Sequence, residues 1–207
     1  MKKIFSTLLI LLLLFALPTI VGAEKNKWKS NDFNFSVVHN ILIKAVKTNP
    51  PHIHGYIAAP FSQKKVEMAL RQAFEKRQIK IFTSAEGSNE NIALHKNSLT
   101  IQPIIHALGK WSEKKEAYYE TRTVYKKIIV ENKYGKTTII TVPTDETIYH
   151  PARTAWHAVA NLEFIVSSNK GEKVYMLVDD RERAEETDTS GMLGRICNDL
   201  ADDLTHN

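Results

Sequence analysis

From Ala155 to Ser167 every second residue is apolar: Trp156, Ala158, Ala160, Leu162, Phe164 and Val166, with His157, Asn161 and Glu163 among the residues between. A period of two places those six side chains on one face of a β-strand, and other elements of the chain must cover that face. Two amphipathic helices are available to do so. Ser62 onward carries Val66, Ala69, Leu70, Ala73 and Phe74 at helical spacing. The C-terminal stretch carries Met192, Leu193, Ile196, Cys197, Leu200 and Leu204 on one stripe. Ser62 is placed as the N-cap of the first helix, with Phe61 and Val66 as a hydrophobic staple over it. The acidic end of the second helix opposes its dipole, so packing must supply its stability.

The other elements show the same patterns. Phe35 to Val46 is a β-rich apolar run, predicted to be a central strand, and ends at Thr48-Asn49-Pro50-Pro51. Ile79 to Thr83 is a short strand after the first helix. Ile92 to Leu94 is assigned a turn of helix within a polar stretch, and Leu99 to Leu108 a strand that Pro103 marks as an edge or a bulge. Gly109 to Glu116 is expected to be a charged turn around Trp111. Ala117 to Val142 has the pattern of a long β-hairpin, turning at Asn132-Lys133-Tyr134-Gly135-Lys136 with the glycine left-handed. Pro143 to Pro151 is expected to be a connection, Ser168 to Gly171 a turn, and Lys173 to Asp179 the last strand. The order β-α-β, antiparallel hairpins, α predicts an α+β fold: a mostly antiparallel sheet with two main helices packed on one face.

Residues 1–23 indicate where such a domain works. Lys2 and Lys3 precede the apolar run Ile4 to Leu17, Pro18 breaks it, and Val21-Gly22-Ala23 supplies small residues for cleavage. This is the three-part pattern of a bacterial secretory signal. The rival reading is an uncleaved anchor, since Ile4 to Gly22 spans about the ~20 residues a membrane helix needs. Either way the remainder of the chain is exported, to the periplasm or beyond, and cleavage leaves no membrane span. Ala23 and Glu24 stand where a lipoprotein has its cysteine, which argues against a lipid anchor. The expected organisation is a signal peptide over 1–23, a polar lead-in over 24–34 and a single α+β domain over 35–207.

Cys197 is the only cysteine. It forms no internal disulfide, so the core alone must hold the fold, and it reads as a small buried hydrophobe. Removing Lys2 and Lys3 takes the formal charge from +5 to +3, too mild for a dedicated nucleic-acid binder. No cofactor or metal is expected. His52 and His54 share a side of an extended loop, but two ligands do not make a metal site. His150 and His157 are too far apart to define a site, and His106 is expected to pack at a strand edge. None lies beside a nucleophile motif.

Three constellations remain. Asp179-Asp180-Arg181-Glu182-Arg183 ends the last strand, and four of the five are expected to form a solvated ion-pair cluster. Its adjacent carboxylates point to opposite faces, and one of Asp179 or Arg181 is expected to cap the sheet or to tie it to the final helix. Ser190, Gly191, Gly194 and Arg195 open that helix, where free backbone N–H groups receive an anion if Arg181, Arg183 or Arg195 supplies counter-charge. The plainer account of the two glycines is close helix–sheet packing. Tyr118, Tyr119, Tyr125, Tyr134 and Trp111 interleave with Lys114, Lys115, Lys126 and Lys127, a pattern suited to glycan or polyanionic envelope polymers. Its plainer account is an amphipathic hairpin whose lysines protect its edge. Tyr125 and Lys127 are the candidate partner-binding residues.

Trp28-Lys29-Ser30-Asn31-Asp32-Phe33-Asn34-Phe35-Ser36 runs straight into a hydrophobic strand. Together with the order of the elements after it, this segment resembles small exported bacterial domains of unknown function, akin to the α/β domains of curli-secretion and penicillin-binding-protein-activator lipoproteins. The resemblance spans about residues 28–204 and implies no catalytic residues. The function expected is therefore a non-enzymatic binding module of the bacterial cell envelope, whose partner is an envelope protein or polymer. The alternatives are an envelope enzyme with a site assembled from distant strands, and a small-anion sensor built on Ser190 to Arg195.

Overall fold

The computed structural model describes residues 24–83 and 97–205. The leader and the turn of helix assigned to Ile92–Leu94 lie outside the described residues. Among the described residues, ten strands and two α-helices succeed one another in chain order: β1 Glu24–Lys29, β2 Asn40–Ile43, β3 Lys47–Thr48, β4 Ile57–Ala58, α1 Ser62–Glu75, β5 Lys80–Thr83, β6 Ser98–Lys115, β7 Tyr118–Glu131, β8 Thr137–His150, β9 Arg153–Ser168, β10 Lys173–Ala184 and α2 Ser190–Thr205. They divide into two compact units. One is the body, up to Trp111 and from Trp156; the other is Ser112–Ala155.

The body is an open sheet in the order β1-β10-β9-β6-β2-β5, with β3 and β4 also paired to β6. The β1–β10 and β10–β9 pairs are antiparallel, whereas β2 runs parallel to both β5 and β6. The even-numbered residues of β9 from Ala158 to Val166 are buried as the alternation requires, and they join one core with Ile41, Ile43, Leu99, Ile101, Tyr175 and Leu177. The helices complete that core with Val66, Leu70, Ala73 and Phe74 from α1 and the whole predicted stripe of α2. Both helices therefore cover one sheet face, and the α+β fold is as expected.

Several local expectations are corrected. Residues 24–29, read as part of a lead-in, form strand β1 on the edge of β10. Phe35–Val37 is a 3-10 turn, so the central strand begins only at Asn40. Phe61 takes the N-cap position of α1 in a left-handed conformation (φ 55°), making Ser62 the first helical residue. Phe61 is 80% exposed, so no staple closes over Val66.

Pro103 is not at an edge; of the two expectations the bulge is the nearer, since four residue steps from Ile43 to Lys47 stand against three from Ile101 to Ile104. β6 pairs with β2 at residues 98–101 and with β3 at 104–105, and Pro103 sits where its neighbour breaks. There the Gln102 side chain donates to Ala45 O at 2.8 Å in place of a ladder bond. The expected turn around Trp111 is instead the continuation of β6, and Trp111 stacks on His157 at 4.3 Å between ring centres. Gly109 allows this course: a Cβ there would lie 2.2 Å from Ile57 O of the crossing strand β4.

Candidate functional site

The hairpin is longer than the sequence pattern suggested. β7 and β8 pair without interruption from Tyr118↔His150 to Glu131↔Thr137, so the expected connection at Pro143–Pro151 is strand as far as His150. The turn is as predicted, with Gly135 at φ 75° and Asn132 accepting from the Tyr134 and Lys136 N–H groups.

Two strands form this sheet and no third strand among the described residues joins it. Large apolar side chains lie exposed on both of its faces. Tyr125, Ile129 and Ile139 lie on one face, and Ile128, Val130 and Ile140 on the other, with Tyr125 73% and Ile129 72% exposed. Tyr125 and Lys127 share the first face, two residues apart. Cross-strand polar pairs stiffen the ribbon: Lys126–Glu146 at 2.8 Å, His150–Glu120 at 2.9 Å and Thr123–Asp145 at 2.8 Å. The Lys126 ammonium hydrogen-bonds Glu146 and holds its carboxyl below the usual range. Tyr118 stacks on His150 at 4.5 Å, and Tyr119 lies 5.0 Å from Tyr149. An isolated two-stranded ribbon is marginally stable in water. Here it carries apolar surface that nothing in its own unit buries.

The residues proposed for anion binding are not brought together. The Ser190 N–H and hydroxyl both donate to Asp188 Oδ1, at 3.0 and 2.8 Å, so a carboxylate of the chain itself already stands at the start of α2. Those two bonds, with Lys65 nearby, hold the Asp188 carboxyl below its ordinary range. Thr189, Ser190, Leu193 and Gly194 face Lys65, Met68, Ala69 and Gln72 of α1 across a shallow cleft of about 230 Å³. Arg195 is exposed. Gly191 and Gly194 meet nothing within 4 Å of an added Cβ, so close helix–sheet packing does not explain them.

Arg181 is engaged elsewhere. It grips Asp179 through two 2.7 Å bonds and reaches Asp199 of α2 at 2.9 Å. Asp179 is fully buried, so the expected solvated cluster is in part an interior ion pair, and the expected tie to the final helix is present. The Asp179 hydrogen bonds raise the Arg181 guanidinium's pKa.

The same seam runs along β1. Lys25 reaches Asp199 at 3.1 Å and Lys27 reaches Asp203 at 3.0 Å. Lys29 donates to the Asp203 carbonyl at 2.8 Å, and Tyr175 donates to the Asp203 carboxylate at 2.7 Å. Burial alone would raise the Asp203 pKa, but the Tyr175 and Lys27 bonds bring it below the ordinary aspartate value. Sequence reasoning missed this seam. Its signal is lysine at 25, 27 and 29 on one strand face, and aspartate at 199 and 203, one turn apart on a helix.

The histidines are dispersed. His52 and His54 are exposed in a loop, and among the described residues no three His, Cys, Asp or Glu side chains group to hold a metal. His106 lies on an interior strand, not at an edge, and pairs with Glu163 at 2.9 Å. His157 lies 2.7 Å from Glu182 on the sheet face opposite the helices, while Asp179 faces α2. His157 and Asp179 are thus on opposite sides of the sheet, and the carboxylate beside His157 is Glu182.

No family model matches the chain, and no curated protein matches it. Solved structures do. A PelC dodecamer from Paraburkholderia phytofirmans is 8% identical, over 90% of this chain and 99% of that one, with a TM-score of 0.51. A variant of that dodecamer in another crystal form gives 7% identity, 89% and 98% coverage and a TM-score of 0.49. A minor lipoprotein from Acinetobacter baumannii gives 11%, 82% and 91%, with 0.31. The first of these shows a shared fold. Among the described residues no helix is long and apolar enough to cross a membrane.

Proposed function

We propose that the chain is an exported, non-enzymatic module of the bacterial cell envelope that acts by binding a protein or envelope polymer through the β7–β8 hairpin. The observation that carries this reading is the hairpin's exposed apolar surface, with Lys127 between Tyr125 and Ile129 on one face and Lys126 beside Ile128 on the other. Exposed aromatic and aliphatic clusters of this kind mark interaction sites, and tyrosines are frequent anchors within them. The similarity to a chain described as a dodecamer supports assembly as the mode of action. The signal pattern supports the envelope as its place.

The test is capture of envelope components by the mature chain. Tyr125→Ala with Lys127→Ala is expected to weaken capture about tenfold, the ~1.4 kcal/mol that one anchor residue commonly supplies. Capture unchanged by both substitutions would remove the hairpin from the proposal.

A further inference from the structure

We propose that the hairpin's partner is a second copy of this chain, paired edge to edge through β7 about a two-fold axis at Thr123. This deepens the contact-surface reading above and rests on it.

The hairpin's register shows which backbone groups are free. The Asn132 N–H donates to Lys136 O at 3.0 Å, so the pairs at even positions of β7, such as Ile128↔Ile140, are the hydrogen-bonded ones. The odd residues from Tyr119 to Glu131 therefore point their N–H and C=O groups outward along β7, and no described strand meets them. The outer edge of β8 differs. Pro143 lies opposite Tyr125, in a pair that is not hydrogen-bonded, so its missing N–H interrupts that edge midway. Proline at an outward position protects an edge strand from addition. β7 has no proline, so one edge is guarded and the other is open.

The β7 sequence is complementary to itself over its longest stretch in one register, since centring on Thr121 would match Glu120 with Arg122 but overlap only Tyr118–Val124 of the two strands. With Thr123 on the axis, outward-pointing residues meet outward-pointing residues, and Glu120 falls opposite Lys126 of the second copy. Tyr119 then faces Lys127, and Tyr118 faces Ile128. Centring the pair on Tyr125 instead would set Glu120 against Val130 and Arg122 against Ile128, with no charge matched. Opposite charges across a strand pair stabilise it, and aromatic–aliphatic pairs do likewise. Lys126, already bonded to Glu146, would lie between two carboxylates. The product is a four-stranded sheet, β8-β7-β7-β8, whose two remaining edges both carry Pro143. It satisfies the need for more than two strands and closes as a symmetric contact.

Thr123→Cys in the full mature chain tests the axis directly. Hydrogen-bonded antiparallel pairs hold their Cα atoms about 5.5 Å apart, within disulfide range. Cys197 is fully buried and does not compete. The expected result is a disulfide-linked dimer on mild oxidation, with none from Thr147→Cys on the outer edge of β8. Equal cross-linking from both would overturn the edge assignment.

Thr123→Pro removes one outward N–H and leaves the β7–β8 ladder bonds in place, as Pro143 does on the other strand. It is expected to weaken self-association at least tenfold by sedimentation, with an unchanged circular dichroism spectrum. Glu120→Lys should weaken it similarly, and adding Lys126→Glu together with Glu146→Lys, which keeps the cross-strand ion pair of the hairpin, should restore it. That pair keeps the test valid if the proline disturbs the hairpin. A mature chain that stays monomeric at about 100 µM would overturn the self-pairing. If Tyr125→Ala still reduced envelope capture by that monomer, the contact-surface reading would survive. A Thr123→Cys dimer whose envelope capture ignores Tyr125→Ala would give the reverse result.

Discussion

Asp179 is a charged residue with no solvent exposure, and Arg181 is what makes that tolerable. A buried carboxylate that loses its partner becomes an uncompensated charge in a medium that solvates it poorly. Arg181→Leu is therefore expected to destabilise the body by roughly 3–5 kcal/mol. At about 2–4 °C per kcal/mol for a chain of this size, thermal unfolding followed by circular dichroism should show a drop of roughly 6–20 °C. A loss of only a degree or two would mean that the pair is not a structural tie. The alternation of β10 showed in sequence that Asp179 and Asp180 take opposite faces. It did not show which of them is buried, because that depends on α2 lying over the Asp179 side.

β4 is held to β6 at Gly109, where the chains come too close for any side chain. The Cβ of Gly109→Ala would sit 2.2 Å from Ile57 O, so β4 must move away from β6. It would also strain the bond from the Leu108 N–H to the Tyr56 hydroxyl, 2.8 Å in length. The expected cost is roughly 1–3 kcal/mol, the range for overpacking, read from urea unfolding. Faster amide exchange at Leu108 should accompany it. An unchanged midpoint would show that β4 is not anchored there. α2 shows a related dependence on its neighbours. Its acidic last turns oppose the helix dipole, yet Lys27, Lys29 and Tyr175 meet Asp203, while Arg77 binds Asp202 and Asn198. The penalty was legible in the helix; the cations that offset it lie more than a hundred residues away.

At the scale of the whole molecule, the body and the unit Ser112–Ala155 are separately compact. Every core residue of the main cluster belongs to the body. Replacing 112–155 by a short glycine–serine turn between Trp111 and Trp156 is thus expected to leave a body that unfolds cooperatively, with a midpoint within a few degrees of the full chain's. β6 and β9 are neighbours in the sheet, so such a turn can close. Loss of cooperative unfolding would show that the body depends on the hairpin unit.

Sequence alone determined the features set by local periodicity. These are the inward residues of β9 from Ala158 to Val166, the buried stripes of both helices, the Gly135 turn and hence the α+β class. Each comes from the spacing at which side chains repeat on a strand or a helix, and that spacing needs no distant partner. Only the tertiary structure decided that 24–29 is a strand, that Pro103 sits in an interior strand, that Trp111 continues β6 and that Arg181 grips Asp179 and Asp199. In each case the deciding contact joins residues far apart in the chain. A lysine, a proline or an arginine carries no local mark of which strand or helix will arrive beside it.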